Sequence, residues 1–299
     1  MKKCGIIDVG SNSIRMGLYD YDENGFTMID NYLTVKELVT YIENGQISEK
    51  GLEIAYKTLY SFKDIANNRG VTDLYALITA PGRKVDDPSV FVNKLSSLMP
   101  IELLSAEQEA TYAFKGAKCK VDLKQGMTID IGGGSSEIVQ FENDDILYET
   151  SLDVGCVALS KIDPKEPLFY VEDILKKIDY KFHGDMIGAG GTVESIFLIY
   201  EKLGDKKEFI TLDDIQTIID RYNEDSIHYI IGRYIYARKT TLFYGLHILY
   251  EIMSYYKVKK LYLSEYGVNE GYLIDKILKK YWYLQIPLLF FIKSKFLTI

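Results

Sequence analysis

Few residues of this chain are of the types that define disulfide-rich or zinc-binding proteins. Among its 299 residues are three cysteines and three histidines. The cysteines (Cys4, Cys119 and Cys156) have no CxxC spacing, and the histidines show no spacing typical of a zinc site. We therefore expect no disulfide framework, and reduced, mostly buried thiols of the kind found in cytoplasmic proteins.

Positive charge is also in short supply. Lys and Arg number 35 against 43 Asp and Glu, which gives a formal net charge of −8. Such a surface repels nucleic acid, so we expect no nucleic acid polymer as a partner. A polyanionic ligand would have to be met by a local basic site and not by the surface as a whole.

The chain has no apolar run long enough to cross a membrane. The run from Tyr281 to Ile292 covers 12 residues and contains Pro287, whereas a spanning helix needs about 20 residues. We expect it to pack against the body of the protein or to form a dimer surface, so we expect no membrane partner and leave a homodimer open. The first 20 residues lack the apolar segment of a signal peptide, so we expect Met1 to begin the folded domain.

Several catalytic signatures are missing as well. There is no GxxxxGK[ST] loop, no GxGxxG after a strand, no HExxH and no GxSxG. These absences exclude a P-loop nucleotide site, a Rossmann dinucleotide site, an HExxH zinc protease and a serine hydrolase with a nucleophile elbow.

The chain does carry a glycine-rich turn bracketed by acids, Asp130-Ile131-Gly132-Gly133-Gly134-Ser135-Ser136-Glu137. Apolar runs flank it on both sides, which predicts a tight hairpin between two buried strands. Glycines let backbone N–H groups turn inward and approach a ligand closely, as in phosphate-binding loops. Because the two acids would repel phosphate, the pattern also predicts a divalent cation.

The same pattern occurs 122 residues earlier, as Asp8-Val9-Gly10-Ser11-Asn12-Ser13-Ile14-Arg15. The two copies agree in the Asp, the aliphatic residue, the Gly and the second Ser, but the first ends in Arg15 where the second ends in Glu137. A repeated strand–turn–strand unit predicts a duplicated α/β domain, with one loop from each half facing a shared cleft. Phosphate would lie between the two loops.

Two helical patterns follow the first unit. One helix is predicted from Glu49 to Asn68, and another from Ala106 to Ala117, where Ser105 and Gln108 form a capping box. The polar stretch after the second helix predicts a domain boundary near Asp122, which gives an N-terminal domain of residues 1–122 and a C-terminal domain of residues 123–299.

A third glycine-rich turn, Gly190-Gly191-Thr192, precedes a further helical pattern. We expect Thr192 to cap that helix, since a threonine side chain can accept from the first free amides. A glycine-rich turn at a helix start is a third candidate anion site.

Seven motifs are similar to those of a known family: IDVGSNSIR (Ile7 to Arg15), TAPGR (Thr79 to Arg83), LLSAEQEA (Leu103 to Ala110), DIGGGSSE (Asp130 to Glu137), VGCV (Val154 to Val157), GAGGT (Gly188 to Thr192) and LSEYGVNEG (Leu263 to Gly271). With them the chain resembles the exopolyphosphatase/guanosine pentaphosphate phosphatase family, part of the actin, sugar kinase and heat-shock ATPase superfamily. The motifs follow the family's order over nearly the whole chain. The resemblance implies an α/β fold of two duplicated actin-like (ribonuclease H-like) domains with a cleft between them.

The resemblance also implies roles for individual residues. Glu109 corresponds to the glutamate that acts as general base on the attacking water. Mg²⁺ would be held by Asp130 and Glu137, and we include Asp8 as the equivalent of Asp130 in the first loop. The implied phosphate-binding residues are Ser11, Asn12, Ser13, Arg15, Arg83, Gly132, Gly133, Gly134, Ser135 and Ser136.

The activity that the resemblance implies is Mg²⁺-dependent release of terminal orthophosphate from inorganic polyphosphate or from guanosine pentaphosphate. The chain departs from the family at Ala106 and Gln108, and it has Val268 and Asn269 where leucine and arginine are usual. Asn269 removes a cation that could hold a distal part of the substrate, so the choice of substrate is affected more than the chemistry.

Other interpretations of these residues stay open. Asp8 and Asp130 could simply cap hairpin turns, Arg15 could be a solvated side chain, and Glu109 could face water. The fold would also suit an ATP-dependent kinase, which would use an aspartate to activate an acceptor hydroxyl. A catalytically weak sensor of nucleotides or polyphosphate is a third class, which Asn269 favours.

Overall fold

The computed structural model describes residues 1–162 and 167–279, without the side chains of residues 167–169. The apolar run from Tyr281 to Ile292 lies outside the described residues, as does the end of the predicted C-terminal domain. Within the described ranges no helix combines the length and apolar character needed to span a membrane.

Two five-stranded sheets and a small hairpin contain all the strands of the described residues. The strands are β1 (Lys2–Val9), β2 (Ser13–Asp22), β3 (Gly25–Val35), β4 (Ile42–Glu43), β5 (Gln46–Ile47), β6 (Leu74–Ile78), β7 (Ile101–Leu103), β8 (Gln125–Ile131), β9 (Ser136–Glu142), β10 (Asp145–Leu152), β11 (Met186–Ala189) and β12 (Leu261–Leu263).

Helices fill the intervals between the strands. They are α1 (Glu49–Asn68), α2 (Ala80–Arg83), α3 (Ser89–Leu95), α4 (Ala106–Lys118), α5 (Cys156–Leu159), α6 (Pro167–Leu175), α7 (Gly190–Lys202), α8 (Leu212–Asp220), α9 (Asp225–Tyr234), α10 (Leu242–Tyr255) and α11 (Val268–Tyr272), with 3₁₀ turns at Leu38–Tyr41 and Tyr236–Arg238 and a π-helix at Leu273–Leu278.

The two large sheets have the same topology. Their strand orders are β3-β2-β1-β6-β7 and β10-β9-β8-β11-β12. In each, the first three strands along the chain run antiparallel and the last two run parallel to the central strand, β1 or β8. The predicted duplicated α/β fold is confirmed, since the same five-strand unit is built twice.

Two helices lie between the sheets and cross each other. Helix α4 covers one face of the second sheet, where Ala110, Phe114 and Ala117 pack with residues of β9 and β11. Helix α11 and the π-helix that follows it cover one face of the first sheet. Each sheet is therefore covered by a helix that follows the last strand of the other sheet in the chain.

The crossing of α4 and α11 depends on glycine. A Cβ at Gly116 would overlap the backbone of Gly267, and a Cβ at Gly271 would overlap the backbone of Tyr112. The two helices thus meet backbone to backbone, which places Asn269 and Glu270 of α11 at the edge of the space between the sheets.

The predicted helix starts are confirmed in part. Helix α1 covers the predicted residues, and α4 opens on the predicted capping box, with Ser105 Oγ accepting from the Gln108 amide and the Gln108 side chain accepting from the Ser105 amide. The predicted cap at Thr192 is wrong. Helix α7 begins at Gly190, with Ala189 as its N-cap and no side-chain cap, so Thr192 lies buried inside the first turn.

Candidate active site

The first loop (Asp8 to Arg15) and the second loop (Asp130 to Glu137) have the same backbone geometry. In the first loop the Gly10 amide donates to the Ser13 carbonyl at 3.0 Å, and in the second the Gly132 amide donates to the Ser135 carbonyl at 2.9 Å. Asp8 lies opposite Arg15 in the ladder of β1 and β2, as Asp130 lies opposite Glu137 in the ladder of β8 and β9. The repeat seen in the sequence is thus a repeat of backbone geometry.

Carbonyl groups of both loops accept hydrogen bonds from neighbouring segments of the chain. In the second loop Gly132 and Gly133 accept from the amides that open α5, at 2.9 to 3.0 Å. In the first loop the Ser11 and Asn12 carbonyls accept from amides of residues 36, 37 and 39, at 2.8 to 3.1 Å. With the carbonyls turned away, the loop amides are the backbone groups that remain for an anion.

The loops also touch each other. A Cβ on Gly133 would lie 2.6 Å from the Cβ of Asn12, and one on Gly134 would lie 2.5 Å from Ser11 Oγ. A side chain at either glycine would separate the loops. The glycine run is therefore required for the close approach of the two halves at this point.

A cavity of about 100 Å³ lies where the loops meet. It brings together residues from both halves that the sequence predicts as functional, together with Gly190 and Gly191 of the third glycine-rich turn. The predicted residues that line it are Asp8, Ser11, Asn12, Ser13, Arg15, Glu109, Asp130, Gly132, Gly133, Gly134, Ser135 and Glu137.

Two of the residues predicted to bind phosphate are placed differently. Ser136 has no exposed surface and does not line the cavity, because its hydroxyl donates to the Val154 carbonyl at 2.6 Å. Arg83 lies beside the cavity and reaches it through its guanidinium group. Ser136 is thus engaged in holding β9 to the segment before α5.

Arg83 connects the catalytic candidates to one another. Its Nη1 lies 2.5 Å from Glu109 Oε2, and its Nη2 lies 3.3 Å from Ser135 Oγ and 3.5 Å from Glu137 Oε1. One guanidinium therefore spans both halves of the protein. It holds Glu109, from α4, beside the second loop.

The acids of the cavity hold their protons unusually tightly. Removal from water raises the pKa of Glu109 to about 7, with Arg83 opposing the rise and Asp8 adding to it. Removal from water and the charge of Asp130 raise the pKa of Asp8 to about 7. Removal from water also raises the pKa values of Asp130 and Glu137. Burial thus outweighs the nearby arginines, and perturbed groups of this kind mark functional sites.

Several polar atoms in the cavity wall are buried without a hydrogen-bond partner. Among the described residues they include Ser11 Oγ, both polar atoms of the Asn12 amide, and Asn269 Oδ1. An unsatisfied buried polar group costs about 1 to 3 kcal/mol. Their convergence on one cavity is the pattern of a site that a polar ligand completes.

Arg15 is held by an acid that the sequence did not single out. Its Nη2 lies 3.0 Å from Glu194 Oε1, and the pair is about one-third exposed or less. Burial alone would lower the pKa of Arg15, but Glu194 outweighs it and the pKa is raised. Glu194 lies in the first turns of α7, four residues after the glycine that opens the helix, and no glycine or acid pattern marks it as functional.

Arg238 is a second residue that sequence analysis missed. It lines the cavity from the 3₁₀ turn Tyr236–Arg238, and its guanidinium packs so closely on Gly191 that a Cβ there would overlap it. Unlike Arg15 and Arg83, it forms no ion pair with a carboxylate in the part of the chain that the structure describes. Gly191 is the one sequence signal that could have pointed to a side chain lying over this turn.

Asn269 lies where the family resemblance leads one to expect an arginine. Its amide nitrogen donates to the Ile6 carbonyl at 3.2 Å, and the residue is 4% exposed. The next residue, Glu270, accepts from the Tyr19 hydroxyl at 2.5 Å and from the Gly267 amide at 2.8 Å. Asn269 therefore ties α11 to β1 and adds no charge to the cavity.

Within residues 1–162 and 167–279, no three or more His, Cys, Asp or Glu side chains are grouped closely enough to hold a metal ion. Asp8, Asp130 and Glu137 nevertheless face one cavity and affect one another's pKa through their charges. These hard oxygen donors suit Mg²⁺, which keeps several waters and takes further ligands from phosphate. The donor set fits a metal that substrate oxygens help to bind.

Solved structures define the class of this fold. An exopolyphosphatase from Cytophaga hutchinsonii superposes with a TM-score of 0.80 at 17% identity, over 91% of this chain and 97% of that chain. A Ppx/GppA family member from Aquifex aeolicus gives a TM-score of 0.75 at 21% identity, over 93% and 98% of the two chains. At such identities the likeness shows the fold alone, which is the two-domain actin-like α/β fold.

The family follows from the sequence comparison. The model of the Ppx/GppA phosphatase family matches residues 33–280, and the chain belongs to this family. A guanosine-5'-triphosphate,3'-diphosphate pyrophosphatase from Pseudoalteromonas translucida (strain TAC 125) is 25% identical to it, over 91% of this chain. The chain spans 59% of the length of that curated relative.

Proposed function

We propose that this protein is a Mg²⁺-dependent hydrolase that releases terminal orthophosphate from inorganic polyphosphate. The observation that carries the proposal is Glu109. Its buried carboxylate has a pKa raised to about 7 and lies in a cavity walled by two loops of phosphate-binding construction. A general base with a pKa near the working pH is the group needed to activate water.

The terminal phosphoryl group would lie between the two loops. The amides around Gly132 to Gly134, and the unpartnered side chains of Ser11 and Asn12, would donate to its oxygens. Arg83 adds a positive charge that already faces Glu109 and Ser135. These groups oppose the charge that spreads over the equatorial oxygens in the transition state.

Glu109 would take a proton from the attacking water. The oxygen of that water forms the new bond to phosphorus, and the bond from phosphorus to the bridging oxygen breaks, so the shortened chain leaves with the electron pair. A positioned base of this kind typically contributes about 10²- to 10⁴-fold to the rate.

The metal would be held by Asp130 and Glu137, with Asp8 nearby on the first loop. When bound there, Mg²⁺ neutralises charge on the phosphate oxygens and so favours attack and departure alike. The raised pKa values of these acids support the assignment, because buried carboxylates whose charged forms are disfavoured gain from a hard cation.

Guanosine pentaphosphate is the second candidate substrate. The curated relative is named as a guanosine-5'-triphosphate,3'-diphosphate pyrophosphatase, and the chemistry at the terminal phosphate would be the same. Because residue 269 is asparagine, α11 places no cation in the cavity, and the part of the substrate beyond the reacting phosphate loses that contact.

Phosphate release from three substrates tests the proposal. The purified protein would be incubated with polyphosphate, with guanosine pentaphosphate and with ATP, each with Mg²⁺ and with EDTA. Phosphate release from polyphosphate with Mg²⁺ but not with EDTA supports the proposal. Release from guanosine pentaphosphate and not from polyphosphate supports the second candidate. Phosphoryl transfer from ATP to an acceptor would identify a kinase, and binding without release would identify a sensor.

A further inference from the structure

A second cavity, of about 660 Å³, adjoins the first. Ala80 and Ser135 line both cavities. Arg83 also lines the second one, while its guanidinium contacts Glu109 and Ser135 in the wall of the first. The second cavity therefore begins at the end of the site where the water-activating carboxylate lies.

The second cavity is basic, although the chain as a whole is acidic. Arg83, Lys84 and Lys161 line it, and Asp153 is the one acid among its lining residues in the described part of the chain. The Asp153 side chain is 85% exposed and pairs with Lys84 at 3.0 Å. Lys161 forms no ion pair within the described residues. Such a concavity attracts anions.

The geometry of hydrolysis indicates on which side of the transferred phosphorus the second cavity lies. The attacking and leaving oxygens lie roughly in line on opposite sides of the transferred phosphorus. Water comes from the side of Glu109, whose partner Arg83 lines the second cavity. Arg15 and Arg238 are cations that line the first cavity and not the second, so they are the groups that would hold the rest of the substrate.

We propose that the second cavity is an orthophosphate site, through which the product leaves while the shortened chain stays in the first cavity. The proposal rests on the proposed hydrolase function. After cleavage the new orthophosphate lies on the Glu109 side of the site and the remaining chain on the other. Arg83 bonds to it first, and Lys84 and Lys161 receive it next. The chain can then advance by one phosphate without dissociating.

Product inhibition gives a first test. If orthophosphate leaves before the shortened chain, it can rebind to the protein–chain complex. Added orthophosphate should therefore inhibit noncompetitively against polyphosphate at fixed Mg²⁺. Strictly competitive inhibition would overturn the proposal, because both ligands would then share one route.

Charge removal gives a second test. The double variant Lys84→Gln/Lys161→Gln should raise the inhibition constant of orthophosphate by about threefold or more, since exposed charge pairs contribute up to roughly fivefold. Its kcat/KM for polyphosphate should stay within about twofold of wild type. The matched control is Lys57→Gln/Lys177→Gln, which removes the same charge at exposed positions outside both cavities. A higher KM for polyphosphate with an unchanged orthophosphate constant would show that the polymer occupies this cavity, and would overturn the proposal.

Tungstate, as a heavy analogue of orthophosphate, separates this proposal from the hydrolase function. Crystals of Glu109→Gln soaked in tungstate should show density between Arg83, Lys84 and Lys161, and the same soak of the lysine double variant should not. Density in the first cavity alone, or equal density in both proteins, would overturn the second site. If tungstate binds in the second cavity but the wild-type protein releases no phosphate from any substrate, the anion site is supported and the hydrolase function is overturned.

Discussion

The guanidinium of Arg15 lies 3.0 and 3.2 Å from the two carboxylate oxygens of Glu194, a residue 179 positions further along the chain. The pair joins the hairpin of the first sheet to the first turns of α7, beside the cavity that Arg15 lines. An arginine proposed to bind substrate phosphate is thus already engaged by an internal carboxylate. If Arg15 binds phosphate as proposed, substrate and Glu194 would compete for the same donor.

This competition predicts opposite effects of two substitutions. Arg15→Ala should raise KM for polyphosphate, because a cation that acts in the ground state is lost. Glu194→Gln should lower KM severalfold, because it frees the guanidinium and removes a negative charge from beside the cavity. Steady-state kinetics on both variants decide the matter. A raised KM in Glu194→Gln would mean that Glu194 positions Arg15 for phosphate.

Glu109→Gln tests the general base apart from binding. Glutamine keeps the shape and the contact with Arg83 but is no proton acceptor, so kcat should fall about 10²-fold or more while KM is unchanged or lower. Glu107→Gln, an exposed acid in the same helical turn, is the control and should behave like wild type. Nearly full kcat in Glu109→Gln would transfer the role of base to another acid of the cavity, with Asp8 the first to examine.

The raised pKa values of Asp8 and Glu109 predict how stability depends on pH and metal. Both rise to about 7 from ordinary values of 3.8 and 4.5, so the folded state binds these protons more tightly than the unfolded state. Their stabilising contribution is complete below the unfolded values and is lost as pH rises toward 7. A cation among the carboxylates offsets that loss, so Mg²⁺ should raise the unfolding temperature more at pH 8 than at pH 5.

Calorimetry with EDTA or with Mg²⁺ at the two pH values measures this difference. Asp130→Asn should shrink the Mg²⁺ effect at pH 8, since the charge of the carboxylate holds the cation. Equal Mg²⁺ effects at pH 5 and pH 8 in wild type would contradict the assignment of the metal to these acids.

Arg238 is predicted to bind substrate phosphate. Because it has no carboxylate partner among the described residues, it can give its full set of donors to an anion. Arg238→Gln should raise KM for polyphosphate about tenfold or more, the size expected for hydrogen bonds to charged groups. Arg238→Lys should restore part of the affinity, and Arg233→Gln, an exposed arginine at the end of α9, should change little. An unchanged KM in Arg238→Gln would exclude the contact.

The glycine crossing of α4 and α11 predicts a contrast between two substitutions of the same kind. Gly271→Ala should destabilise the protein by more than the roughly 1 to 3 kcal/mol of ordinary overpacking, because the new methyl group meets the Tyr112 backbone. Gly232→Ala in α9 meets no atom within 4 Å and should stabilise it by about 0.5 to 1 kcal/mol. Urea unfolding of both variants gives the two signs, and a neutral Gly271→Ala would show that the helices can separate at little cost.

The fold was predictable because its signals are local and repeated. At Asp8 and at Asp130, glycines and acids occur in one short stretch between two strand patterns. The start of α4 is indicated by the capping box of Ser105 and Gln108. Glu194 and Arg238 carry no such signal. Each lies on a helix or turn whose sequence looks like many others, and tertiary packing alone brings it to the cavity.

Some local predictions failed for equally specific reasons. Thr192 has the right chemistry for a cap, but the N-cap is Ala189, three residues earlier, and Thr192 lies buried in the first turn of the helix. Ser136 follows the glycines as a phosphate-binding serine would, yet the alternation of a strand turns its hydroxyl away from the cavity and toward Val154. The domain boundary near Asp122 stays a prediction.

The crossing of α4 and α11 also bears on how the chain folds as it is made. Residues 268–278 close the face of the first sheet that contains Ile6 and Tyr19, packing Leu273 and Ile277 there. On the ribosome that face is complete in sequence long before its cover emerges. The nascent first half must therefore carry an open apolar surface until almost all of the described chain has been synthesised, which is a period of exposure to chaperones and to aggregation.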